Sequence, residues 1–237
     1  LFASHDADIG VVVAYGRILP LDFLRAPRRG CLNVHFSLLP LYRGAAPVNW
    51  AIVNGETTTG VTTMFIEERL DAGPILLQHQ TPIEANETAT ALMERLAHSG
   101  AQLLSETIDG LDTITPRSQR DRDATFAPML KKDDGLVDWS NDAASIARCV
   151  RGFQPWPHAH SSYQQHRLIF WSAAAELECD SSASAGEVII AHGDELLVKC
   201  GQQTALRLLE VQPEGKRRMS VRDFLNGTHV RPGEKLG

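Results

Sequence analysis

The run Ile9-Gly10-Val11-Val12-Val13-Ala14-Tyr15 constrains the fold of this 237-residue chain more than any other stretch, because it is the longest apolar segment. It falls far short of the ~18 apolar residues that a membrane helix needs. A β-branched run of this length, stopped by Gly16, reads as a strand covered on both faces, as in a parallel sheet flanked by helices. Cys31 to Val34 is a second short apolar run, with His35 at its carboxyl end. In open α/β sheets ligands bind beyond the carboxyl ends of the strands, so His35 sits where chemistry is expected.

Further along, Ala45 to Asn54 reads as a helix stopped at Asn54-Gly55, and Gly60 to Ile66 and Ile75 to Ile83 read as strands joined by a turn that carries Asp71. Asn86 is the expected cap of a long helix with an apolar stripe of Leu92, Leu96, Leu103 and Leu104, ending near Asp109-Gly110. These elements make an α/β, doubly wound (Rossmann-like) domain over 1–111. Residues 112–128, polar and bounded by Pro116 and Pro128, suit an interdomain linker. From 129 to 237 the texture changes. One amphipathic helix, Ser140 to Val150, is followed by short strands at His166 to Trp171, Glu187 to Ala191, Glu195 to Cys200 and Ala205 to Val211. With a helical turn at Val221 to Leu225, this spacing suggests a small OB-like β-barrel.

The net charge of -6 argues against a generic nucleic-acid binder held by a basic face. The negative excess lies mainly in the first half, and the tightest basic cluster, Lys216-Arg217-Arg218 with Arg222, lies in the second. Cys31, Cys149, Cys179 and Cys200 form no C-x-x-C pair, which points to a reducing compartment, the cytoplasm by default. His158-Ala159-His160 has a metal-like spacing but no third ligand nearby, so no metal is expected. The chain opens Leu1-Phe2-Ala3, without Met or a signal-peptide pattern, and is expected to be part of a longer protein.

The residues that carry chemistry are Asn33, His35 and Asp71. If residues 31–35 are extended, Asn33 and His35 point to one face. An Asn amide supplies a neutral N–H donor, and a His supplies a donor or an acceptor near neutral pH. A nearby carboxylate orients the imidazole and stabilises its protonated form. Together they suit a transfer through a tetrahedral centre whose oxygen becomes negative.

Asn33-Val34-His35-Phe36-Ser37-Leu38-Leu39-Pro40, running on to Tyr42-Arg43-Gly44-Ala45-Ala46-Pro47, with the distant Leu70-Asp71-Ala72-Gly73-Pro74, resembles the folate-dependent formyltransferases, and within them the methionyl-tRNA enzymes. Leu209 to Lys216 and Phe153-Gln154-Pro155-Trp156-Pro157 extend the resemblance into the second half. It implies that Asn33, His35 and Asp71 are catalytic, with 10-formyltetrahydrofolate as co-substrate and no metal. It places Tyr15, Gly16, Arg17, Ile18 and Leu19, with Ser37, Leu38, Leu39 and Pro40, at the folate, and Ile66 to Leu70 as a second pocket wall. It implies initiator methionyl-tRNA as partner, met by Arg43, Lys131, Lys132, Arg148, Arg151, Lys216, Arg217 and Arg218, and a monomer in the cytoplasm. The family begins with a further βαβ-rich segment, so the first domain is expected to be truncated. Two other readings stand beside this one: a sugar-nucleotide amine formyltransferase, and a non-catalytic fragment whose barrel binds RNA or protein.

Overall fold

The computed structural model describes residues 5–16 and 19–237, which fall into two compact units, 1–51 with 56–129 and 52–55 with 130–237. In the first, the elements follow as β1 (Gly10–Val12), α1 (Leu21–Leu24), β2 (Cys31–His35), β3 (Arg43–Gly44), α2 (Pro47–Val53, whose last residues group with the second unit), β4 (Thr58–Phe65), β5 (Ile75–Pro82), α3 (Ala89–Asp109) and β6 (Phe126–Ala127). The main sheet runs β1-β2-β4-β5, with β1 parallel to β2 and the other pairs antiparallel. α3 lays Leu92, Leu96 and Leu103 toward this sheet, and all three are buried, as a stripe at helical spacing should be.

Three expectations are corrected here. The first apolar run forms a strand of only three residues, and Val11, Val13 and Tyr15 are exposed. Its only strand partner among the described residues is β2. α3 is capped by Thr88, whose Oγ1 accepts from the Ala91 N–H at 3.3 Å, and Asn86 lies in the exposed turn before it. Finally, residues 112–128 are no free linker. Arg117 and Ile75 exchange backbone hydrogen bonds at 2.8 Å, β6 pairs in parallel with β3, and Ala127 is fully buried against Tyr42 and Ala51.

The second unit contains α4 (Ala143–Gly152), β7 (His160–Tyr163), β8 (His166–Glu176), β9 (Val188–His192), β10 (Glu195–Lys199), β11 (Ala205–Pro213), β12 (Met219–Ser220) and α5 (Val221–Gly227). Its antiparallel sheet runs β7-β8-β11-β10-β9, with β12 added on β11. Leu168 and Phe170, two apart on β8, point inward with Leu196, Leu206, Leu208 and Val150 into one core, around which the sheet curls as the barrel expectation requires. β7 escaped the sequence reading because His160-Ser161-Ser162-Tyr163 has no apolar run to announce it. Asp142 and Ser220 cap α4 and α5 by accepting from the backbone N–H groups of Ser145 and Asp223. No helix of the described residues is long and apolar enough to cross a membrane.

Phe170 is completely buried at the centre of the second core. Phe170→Ala should therefore lower unfolding free energy by about 3–5 kcal/mol, measured from the urea midpoint followed by tryptophan fluorescence.

Candidate active site

Strand β2 alternates, so Asn33 and His35 share a face, opposite Met64 and Thr62 of β4. His35 is 6% exposed. Its Nε2 lies 2.9 Å from the Tyr42 carbonyl oxygen, and since a carbonyl only accepts, Nε2 carries the proton. Nδ1 then faces Asp71 Oδ2 at 3.7 Å, too far for a direct hydrogen bond but close enough for charge stabilisation. The same Oδ2 accepts the Gly44 N–H at 2.8 Å. Asn33 is half-buried, and its side-chain amide has no hydrogen-bond partner among the described residues.

The loop after β2 brings Tyr42 back to the imidazole. Thr62, completely buried, donates to the Ser37 carbonyl at 2.7 Å and accepts the Leu39 N–H at 3.2 Å. The Gln78 amide donates to the Leu39 carbonyl at 3.0 Å, and Ser37 Oγ donates to the Leu41 carbonyl at 2.5 Å. Ser37 and Leu39, expected at the folate, are thus spent inside the loop's own packing, with Leu39 against Met64 and Ile75. Leu38 and Pro40 are half-buried.

Of the other expected folate contacts, Tyr15 and Gly16 are exposed and Leu19 is half-buried, whereas Arg17 and Ile18 lie outside the described residues. A cavity of about 430 Å³ opens between α1 and the segment before Asp71, lined by Leu21, Leu24, Arg25, Ile66, Glu67, Glu68 and Arg69. Ile66 to Arg69 belong to the segment expected as a second pocket wall. The α1 wall had no signal in the chain beyond a short apolar pair.

Arg43 corrects an expectation. It was placed on tRNA, yet it is 4% exposed and its guanidinium is committed internally: Nε and Nη2 donate to Gln119 Oε1 at 3.0 and 2.8 Å, and Nη1 to Asp121 Oδ1 at 3.0 Å. A buried guanidinium already paired has little to offer a phosphate. Gln119 in turn donates to the carbonyls of Asp71 and Gly73 at 2.9 and 2.8 Å. Asp121 also pairs with Arg69 at 2.6 Å. Gln119, Asp121, Thr62 and Gln78 were all missed from sequence.

In the second unit, Lys131, Lys132, Lys216 and Arg217 are exposed. Arg148 is partly engaged, donating to the carbonyl of Val53 and to Ser145 Oγ. Arg151 is half-buried. Arg218 pairs with Glu210 and lies over the Trp171 ring at 4.8 Å from its centroid.

Residues 1–108 match the formyl transferase family model, and residues 129–229 match the model of the formyl transferase C-terminal domain. The chain belongs to the formyl transferase family. A protein of Geobacter metallireducens named methionyl-tRNA formyltransferase is 44% identical over 97% of this chain and 73% of its own length. Among solved structures, the methionyl-tRNA formyltransferase from Clostridium thermocellum shares 19% identity at a TM-score of 0.58, covering 69% of this chain and 71% of that one. WlaRD, a sugar 3N-formyl transferase solved with dTDP and 5-N-formyl-THF, shares 18% at a TM-score of 0.67, covering 88% and 73%. At such identities the two structures speak for the fold alone.

Two outcomes test this architecture. A Cβ on Gly73 would lie 1.9 Å from the Phe65 carbonyl oxygen, so Gly73→Ala should force the Asp71 turn outward and lower the urea midpoint by an amount equivalent to about 2 kcal/mol or more. The Asp121 carboxyl is held below its usual range by hydrogen bonds from Arg69 and then Arg43. With its folded value below the unfolded one near ~4, this contribution is present above about pH 4 and drains as pH falls through the lowered value. Melting temperature should therefore fall less steeply on acidification below about pH 4 in Asp121→Asn than in the wild type.

Proposed function

We propose that this chain transfers a formyl group from 10-formyltetrahydrofolate to the α-amino group of initiator methionyl-tRNA, acting as a monomer in the cytoplasm. The observation that carries the reading is the His35 ring, fixed by the Tyr42 carbonyl on Nε2 so that bare Nδ1 faces the Asp71 carboxylate, with Asn33, whose amide has no hydrogen-bond partner among the described residues, on the same face of β2. Asn33 donates to the formyl oxygen as it becomes negative. His35 Nδ1 receives the proton that the attacking amine gives up, and Asp71 stabilises the imidazolium. The same Nδ1–H then protonates the folate nitrogen as it leaves, so the proton balance closes within the site. Because the Nε2 proton is spent on Tyr42, the oxyanion falls to Asn33, and His35 works as acid and base.

The cavity between α1 and Ile66 to Arg69 is the candidate site for the pterin: Leu21, Leu24 and Ile66 offer apolar contact beside the charged Arg25, Glu67, Glu68 and Arg69, and its volume of about 430 Å³ lies in the range of small-molecule pockets. Leu38, Pro40, Tyr15, Gly16 and Leu19 are the remaining candidates around the co-substrate. For the amine, the identity to relatives named methionyl-tRNA formyltransferase supports tRNA over a sugar nucleotide. Exposed Lys131, Lys132, Lys216 and Arg217 supply phosphate contacts of the kind that position tRNA without reading its sequence.

Purified protein is to be assayed with charged initiator methionyl-tRNA and, separately, with a dTDP-amino sugar, each with formyl-folate. Transfer to the tRNA is expected, and preferential transfer to the sugar would sink the substrate assignment. Asn33→Ala should lower kcat by about 10²–10³. A His35→Ala variant within a few-fold of wild type would remove the mechanism.

A further inference from the structure

We infer that Gln119 is a positioning residue for Asp71, holding the backbone that aims its carboxylate at His35. The kinetic part of this inference rests on the formyl-transfer reading above. Asp71 has a left-handed backbone, φ 49°, which a side chain adopts at a cost and only where its surroundings over-determine it. Gln119 supplies that determination. Both hydrogens of its amide are used, one on the carbonyl of Asp71 and one on that of Gly73, at 2.9 and 2.8 Å. Its oxygen takes both remaining contacts from the Arg43 guanidinium, at 3.0 and 2.8 Å. The side chain is therefore fully satisfied, with no freedom to rotate without losing several bonds at once.

The two ends of Asp71 are consequently held from one dipeptide of β3. Gly44 grips the carboxylate directly through its N–H at 2.8 Å, and Arg43 grips the backbone through Gln119. Both depend on the pairing of β3 with β6, which brings the segment carrying Gln119 across. Displacement of the Asp71 carboxylate by even ~1 Å would undo the 3.7 Å approach to Nδ1, and such misplacements cost on the order of 10²-fold in rate.

Gln119→Glu separates positioning from mere stability. A glutamate still accepts from Arg43 but cannot donate to two carbonyls. The full chain is to be compared as wild type, Gln119→Glu and Gln119→Ala by two readouts. The first is the Gly44 amide resonance, which reports its hydrogen bond to the Asp71 carboxylate, together with its hydrogen-exchange protection. In both variants the resonance should move upfield and protection fall, while amides of β4 keep theirs. The second is steady-state formyl transfer, where kcat should fall by about 10–10² with KM for both substrates within about two-fold. An unmoved Gly44 resonance in Gln119→Glu overturns the inference, as does a moved resonance with unchanged kcat. If the wild-type chain formylates none of the amines offered, the functional reading fails and the Gly44 resonance alone decides.

Discussion

The hydrogen bond from His35 Nε2 to the Tyr42 carbonyl is the contact on which the rest of the first unit's site depends. It settles which nitrogen is protonated, and with that which nitrogen faces Asp71. The bond exists only because the chain doubles back within seven residues of β2, and that return is set by buried polar groups rather than apolar ones. Thr62 ties the Ser37 carbonyl and the Leu39 N–H together, and Gln78 adds the Leu39 carbonyl. Each such bond is worth about 1 kcal/mol net, but an unmet buried donor or acceptor costs more, so the set is mutually enforcing. Pairing of β2 with β4 is what places Thr62 under the loop, opposite His35.

A second constraint acts on the Asp71 turn. Gly73 lets the turn lie against the Phe65 carbonyl, and Gly44, at φ 126°, lets β3 lie against the Ala127 carbonyl, where a Cβ would approach to 2.5 Å. Close backbone approach of this kind delivers the Gly44 N–H to the carboxylate. The unfavourable backbone of Asp71, on the order of 1–2 kcal/mol, is offset by the hydrogen bonds it accepts. Asp121 extends the same network by joining Arg43 to Arg69, a residue that also lines the cavity beneath.

The placement of the candidate residues was legible because its signal is one of type and spacing: an Asn and a His two apart on a strand, and an Asp in a turn that lies 3.7 Å from the imidazole. Most of the elements were legible too, since the helix stripe of α3 and the inward pair Leu168 and Phe170 follow simple periods. What was not legible shares a cause. Gln119 and Asp121 sit in a polar, Pro-bounded stretch that looks alike whether solvated or bonded, and their partners lie 46 to 78 residues away. Hydrogen bonding at such separations leaves no period in the chain. Arg43 misled for the same reason, because a cation beside a catalytic motif reads as a ligand contact until its partners are known. β1 differs: its apolar run announces a strand but not the exposure of Val11 and Val13.

The location of the first boundary bears on how the activity is divided. Cutting after Leu111, where apolar patterning ends, would remove Gln119, Asp121 and β6, leaving Arg43 without its acceptors and the carbonyls of Asp71 and Gly73 without their donor. An unpaired buried guanidinium is among the costlier defects a fold can carry. The stretch that precedes the second unit is therefore part of the catalytic body. In the proposed mechanism Asn33, His35 and Asp71 act on the formyl carbon and its proton balance, whichever amine is presented. Under that proposal the choice of amine falls to surfaces beyond these three residues. With Arg43 turned inward onto Gln119 and Asp121, the first unit keeps that guanidinium for its own packing, while Lys131, Lys132, Lys216 and Arg217 of the second unit stay exposed and free to serve that proposed role.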